Sequence, residues 1–159
     1  MKKRSIFYAI LLLGTGAFIF LQDRAPEGLG FIIDWRILFI IIGAAFLADS
    51  GRGRKQESFL PGMLFLLFGL HFLLAETVAS WPGHEGMYAL ILGISILFHF
   101  VKTKSDGVIP GFLLLFTGAA FFFSDELRGL IGDTFLAPVI QYAPFILIIS
   151  GVYLLFFKK

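Results

Sequence analysis

Residues 59–69 read Phe59-Leu60-Pro61-Gly62-Met63-Leu64-Phe65-Leu66-Leu67-Phe68-Gly69. At an offset of 49, residues 108–118 read Val108-Ile109-Pro110-Gly111-Phe112-Leu113-Leu114-Leu115-Phe116-Thr117-Gly118. The Pro-Gly pair, two leucines and the closing glycine coincide. Neither stretch alternates apolar with polar residues, as a barrel strand would. Proline is tolerated in the first turn of a helix, where its missing N–H would have no partner anyway. Each stretch therefore reads as the start of an apolar helix, about Phe59–Ala75 and Val108–Phe123. Residues 6–21 fit the same pattern more loosely at an offset of 53, placing Leu11, Leu13 and Gly16 beneath Leu64, Leu66 and Gly69. An acidic residue follows that glycine by seven positions in all three copies: Asp23, Glu76 and Asp125.

Three further apolar runs, about Trp35–Ala48, Met87–Val101 and Val139–Phe157, carry Gly43, Gly93 and Gly151 after an aliphatic stretch. The chain thus reads as an all-α integral membrane protein. Six short transmembrane helices form three tandem hairpins, about 5–50, 57–103 and 107–159, within a single transmembrane domain spanning 1–159. Each copy begins on the same side of the membrane, so these are parallel repeats, unlike the inverted repeats of many transporters. Several runs are shorter than the roughly 20 residues that span a bilayer core, a mismatch met by snorkelling flanks or local thinning. Residues 127–141 leave two readings open: an interfacial helix, or a last span beginning as early as Thr134.

Composition agrees. Of the 159 residues, 58% are hydrophobic and only 15% charged, with a mean hydropathy of +0.89. Soluble domains carry about 25% charged residues, so this chain needs lipid as part of its solvent. No polar stretch is long enough for a soluble domain of roughly 50 residues. The absence of cysteine excludes disulfides, thiolate metal sites and cysteine nucleophiles. The first apolar run follows a basic start, as in a signal peptide, but Gln22-Asp23-Arg24-Ala25-Pro26 offers no small-x-small cleavage site.

Orientation follows from the basic residues. Lys2, Lys3 and Arg4, then Arg52, Arg54 and Lys55, then Lys102 and Lys104, and finally Lys158 and Lys159 all fall on one side of a six-span chain. Arg24, Arg36 and Arg128 fall on the other. The positive-inside rule predicts cytoplasmic termini.

Lipid supplies no hydrophobic drive between helices, so contact depends on small residues that let backbones approach. Gly14, Gly16, Gly43, Gly69, Gly93, Gly118 and Gly151 are the candidate helix-packing residues. Polar groups within the spans are few. His71 lies five residues before Glu76, about 7.5 Å along a helix, and reads better as an interfacial histidine than as a proton relay. Arg36, His71, Glu76 and Asp125 are the candidates for a polar outer mouth, against the plainer reading that each ends a helix in headgroup water. Thr15, Ser95, Thr117 and Ser150 are expected to bond carbonyls one turn earlier. His84-Glu85 is not a metal motif, and the catalytic templates Gly-x-Ser-x-Gly, His-Glu-x-x-His and the phosphate loop are missing. Catalytic residues, cofactors, metals and nucleic-acid partners are not expected. The expected partners are the bilayer and a membrane protein, including a second copy of the chain.

Leu11-Leu12-Leu13-Gly14-Thr15-Gly16, Trp35-Arg36-Ile37-Leu38-Phe39-Ile40-Ile41-Ile42-Gly43 and Tyr142-Ala143-Pro144-Phe145-Ile146-Leu147-Ile148-Ile149-Ser150-Gly151 resemble the LiaI/LiaF-type transmembrane region of bacterial, mostly Gram-positive, membrane proteins. The resemblance covers each hairpin, and the sequence departs from the LiaF type in having no soluble C-terminal domain. It implies a non-enzymatic scaffold or regulator acting through helix–helix association, in the setting of cell-envelope stress. It carries over no functional residues. A small-solute or ion transporter or channel is the alternative.

Overall fold

The computed structural model describes residues 6–22, 24, 34–51, 56–104 and 107–157. These form seven α-helices and one 3-10 turn, with no strand among them: α1 Ile6–Gln22, α2 Arg36–Gly51, the turn Gln56–Ser58, α3 Phe59–Thr77, α4 Gly86–Thr103, α5 Val108–Phe122, α6 Ser124–Ile131 and α7 Asp133–Phe157. The basic clusters at residues 2–4, 52–55 and 158–159, and Asp23, lie outside the described residues. The chain divides into two compact units, Met1–Pro82 and Gly83–Lys159.

The boundaries have local causes. Pro61 and Pro110 occupy the third position of α3 and α5, within the first turn. Lys104 ends α4 in the left-handed conformation, at φ 55°, its N–H donating to the Phe100 carbonyl at 2.7 Å. Gly132 separates α6 from α7 at φ 77°, a conformation open to glycine without a Cβ clash. The last long helix begins at Asp133, and both Pro138 and Pro144 lie inside it. The two readings left open for residues 127–141 are thus divided between two elements. A short helix, α6, leaves α5 at 77°, and α7 then starts one residue before Thr134. On α6, Asp125, Glu126 and Arg128 are exposed and Leu127 is half-buried, while Leu130 is 80% exposed.

Among the described residues, three helices are long and apolar enough to cross a membrane: Gln56–Thr77, Gly86–Thr103 and Leu136–Phe156. The bent pair Val108–Phe122 and Ser124–Leu130 makes a fourth when taken as one span. The helices α1 and α2 are shorter, at 17 and 16 residues. Of the hydroxyls expected to bond backward, Ser95 does so, its Oγ donating to the Ile91 carbonyl at 2.7 Å; Thr77 and Thr103, which were not among them, donate in the same way to Leu73 and His99.

In the first unit, α2 packs most extensively on α3 and less so on α1; in the second, α4 packs on α5, and α7 lies on α5 and α6. The closest helix contacts therefore join the end of one expected hairpin to the start of the next. Sequence periodicity marks an alternation of two helix types but does not say which neighbour each one presses against.

Candidate functional site

Glycine builds the two tight pairs. A methyl placed on Gly43 would overlap the Leu66 backbone nitrogen and lie 2.9 Å from the Gly62 carbonyl oxygen; on Gly62, 2.9 Å from the Leu47 nitrogen; on Gly69, 2.9 Å from the Ile40 nitrogen. Position 40 thus faces 69, 43 faces 66 and 47 faces 62, so α2 and α3 run antiparallel. In the second unit, Gly93 lies equally close to Leu115 and Gly111, Gly111 to Leu97, and Gly118 to Leu90. Position 90 faces 118, 93 faces 115 and 97 faces 111. The second set matches the first at offsets of 50 on α4 and 49 on α5. In such contacts backbone touches backbone, and dispersion replaces the hydrophobic drive that lipid lacks.

The remaining candidate glycines behave differently. Gly14 meets the Ile41 side chain of α2, whereas an added Cβ on Gly16 or Gly151 meets nothing within 4 Å. Three packing glycines lie outside the expected set: Gly62 and Gly111, read from sequence only as part of the Pro-Gly helix starts, and Gly86, whose added Cβ would lie 2.7 Å from the Gly118 carbonyl oxygen. The signal for them was the seven-residue spacing Gly62/Gly69, Gly86/Gly93 and Gly111/Gly118, which keeps both glycines on one helix face.

The polar candidates gather where α2 begins and α3 ends. The antiparallel register brings Arg36, at the start of α2, beside the last turn of α3. There its guanidinium pairs with Asp34 and, at 3.2 Å, with Glu76. It also lies 5.5 Å from the Trp35 ring. Trp35 leans on Phe39 and Phe72. Beyond α3 the chain turns back, with the Trp81 N–H bonded to the Val78 carbonyl. The Trp81 indole N–H then donates to Nδ1 of His71 at 3.0 Å. His71 is 4% exposed. Trp81 was not among the expected residues; the turn at 78–81, which brings it over α3, is a backbone feature that spacing does not announce. Asp125 belongs to the second unit, where it faces Arg128 at 4.0 Å; Arg128 also meets Asp133 at 3.3 Å. Among the described residues, no group of three or more His, Cys, Asp or Glu side chains is placed to hold a metal ion.

The end of the α2–α3 pair is thus an interlocked cluster of one cation, two carboxylates and an aromatic lid. Arg36→Gln is expected to cost about 1 kcal/mol or less, because the pairs are partly solvated. Glu76→Gln should cost a few tenths on the same grounds. Trp81→Phe should cost more, about 1–3 kcal/mol, since it removes the donor from a buried ring nitrogen. Thermal unfolding of the three variants in one detergent would check this order.

The chain is 26% identical over 160 residues to the protein described as "Uncharacterized membrane protein YsxD" of Bacillus subtilis (strain 168), in an alignment covering all of this chain and 97% of that one. No family model and no solved structure matches it. Similarity along the whole length to a Gram-positive membrane protein, together with several apolar helices, identifies a membrane protein in contact with a lipid bilayer. It does not bear on the LiaI/LiaF likeness in particular.

Proposed function

We propose that the chain is a six-span membrane protein with cytoplasmic termini that acts without catalysis, as a scaffold or regulator, by associating with other membrane helices. The observation that carries this reading is the backbone-to-backbone packing of α2 on α3 and of α4 on α5, combined with large apolar side chains left exposed elsewhere, such as Leu12, Ile149 and Phe156. Paired backbones leave no room for a polar pathway between them. The groups that would have lined a mouth, Arg36, His71 and Glu76, are engaged with neighbours of the same unit. The six-span count gains support from register: α2 lies along α3 from position 40 against 69 to position 47 against 62, so the short helix crosses what its longer partner crosses. The distribution of basic residues supports cytoplasmic termini, and the LiaI/LiaF resemblance supports a role in envelope stress.

The test is purification in mild detergent after crosslinking in the native membrane. The expected result is recovery in complexes with itself or with another membrane protein. Recovery solely as an isolated monomer would overturn the reading, as would solute or ion flux through proteoliposomes that is lost in Arg36 or His71 variants.

A further inference from the structure

The α2–α3 pair carries charge at both ends and none between them. At one end Arg36 pairs with Asp34 and Glu76, beside Trp35. At the other, the Ser58 hydroxyl donates to the Asp49 carboxylate at 3.4 Å. Residues 37–48 of α2 hold no polar side chain, and His71 is the one polar side chain of α3 between Ser58 and Glu76. Arg36 and Asp49 are thirteen positions apart, about 20 Å along a helix at 1.5 Å per residue. The hydrocarbon of a typical bilayer is about 30 Å thick. The second unit contains a helix that is equally short. There α5 has 15 residues, about 21 Å of rise, before the chain turns by 77° into α6, where Asp125 and Glu126 are exposed.

We infer that the α2–α3 pair holds the bilayer thin around itself and is solvated there by lipids with short acyl chains. A charged group reaches a distant interface only on a long and free side chain. Arg36 is long, but two carboxylates hold it. Asp49 is short, and its carboxylate takes the Ser58 hydroxyl. Neither end can extend far along the membrane normal, and a charge left in hydrocarbon is expensive. Tilting reduces the thickness that a helix spans, so it relieves a helix that is too long and worsens one that is too short. The contrast is α7, whose segment Leu136–Phe156 has 21 residues, about 30 Å of rise, and meets a thinner layer by tilting. For α2 the adjustment left is in the lipid. Of the two remedies that the short apolar runs allowed, snorkelling and thinning, the engaged ends of this pair select the second. This inference rests on the reading above that α2 crosses the membrane alongside α3, and it names the lipid that surrounds them.

Trp35 and Trp81 are the two tryptophans of the chain, and both belong to the first unit, so their fluorescence reports which lipid borders it. The full-length chain is placed in phosphatidylcholine vesicles that mix fourteen-carbon with twenty-two-carbon monounsaturated chains, with bromine on one lipid or on the other. Bromine quenches a tryptophan that it touches. The expected result is a several-fold preference for the short lipid, read as stronger quenching when that lipid carries the bromine. Asp49→Leu combined with Ser58→Leu lengthens the apolar band at one end and should move the preference towards the longer lipid, at unchanged helix content. Equal quenching by the two lipids in the unsubstituted chain would overturn the inference, as would a preference for the long one. A short-lipid preference indifferent to the double substitution would overturn it too, since the Asp49 end would then not set the height of the band. The chain has no cysteine, so Trp35→Cys and Gly51→Cys, in separate chains, can be labelled with a membrane-impermeant thiol reagent without background. Labelling from opposite sides without a short-lipid preference means that the thin bilayer is wrong and the crossing of α2 stands; labelling from the same side defeats both.

Discussion

Gly93→Leu is expected to drive α4 off α5 and to destabilise the second unit by about 1–3 kcal/mol, the usual range for overpacking a tight contact, with the upper end favoured here. Even the first carbon added at this position would lie 2.8 Å from the Leu115 backbone nitrogen and 2.9 Å from the Gly111 carbonyl oxygen. A flexible side-chain tip can swing aside, but a helix backbone moves only as a whole, and moving it breaks contact along the full pair. The first unit makes the same prediction: Gly43→Leu meets the Leu66 backbone on α3. Gly16→Ala and Gly151→Ala are the controls. An added methyl there meets nothing within 4 Å, so the stability of the isolated chain should stay within a few tenths of a kcal/mol of the parent, as at other unconstrained surface positions. Unfolding by denaturing detergent, followed by helix signal and by proteolysis between the helices, would separate the two classes. Equal stability of Gly93→Leu and Gly16→Ala would show that the close backbone approach is not what holds α4 to α5.

Ile149→Arg should be the most damaging single exposed-site change. Ile149 is 68% exposed and lies near the middle of the Leu136–Phe156 span. In a water-soluble helix, such a change at so exposed a position would shift stability by no more than about 0.5 kcal/mol. In a bilayer, an arginine near the centre of a helix costs about 2.5–3.5 kcal/mol on insertion scales, close to two powers of ten in the insertion equilibrium. Charge close to a helix end is cheap because a long side chain snorkels to the interface; position 149 lies eight residues before Phe157, the last residue of α7, about 12 Å along the helix at 1.5 Å per residue. The measurement is the fraction of chain that resists alkaline extraction from membranes. An Ile149→Arg chain inserted as fully as the parent would mean that this face of α7 does not meet lipid hydrocarbon.

Much of the helix inventory could be read from the chain itself. The apolar runs 6–21, 59–75, 87–101 and 108–123 correspond to α1, α3, α4 and α5 within one or two residues at each end, because apolar length and flanking Pro, Gly and charged residues act locally. The last helix starts six residues earlier than the strictly apolar run from Val139, since Pro138 lies inside it without ending it. The candidate site was legible only in parts. Arg36 and Glu76 stood out as charges beside apolar runs, but they are 40 positions apart, and only the antiparallel register of α2 on α3 brings them into contact. The His71–Trp81 bond depends on a backbone turn at 78–81, which no spacing rule signals. Asp125 shared a repeat position with Glu76 yet faces Arg128 on the next turn of its own short helix.

By itself the sequence determined that the chain needs lipid, that its apolar segments are helices, and that glycines recur on one face of several of them. Those properties depend on composition and on spacing within a single segment. Which neighbour each glycine stripe meets was decided only in the tertiary structure. A stripe on α3 is compatible with the helix before it or the helix after it, and no local energy separates the two. The choice is made by backbone approach: Gly43, Gly62 and Gly69 bring α2 and α3 to contact distances that one added carbon would violate, and those distances exist only once two helices have come together.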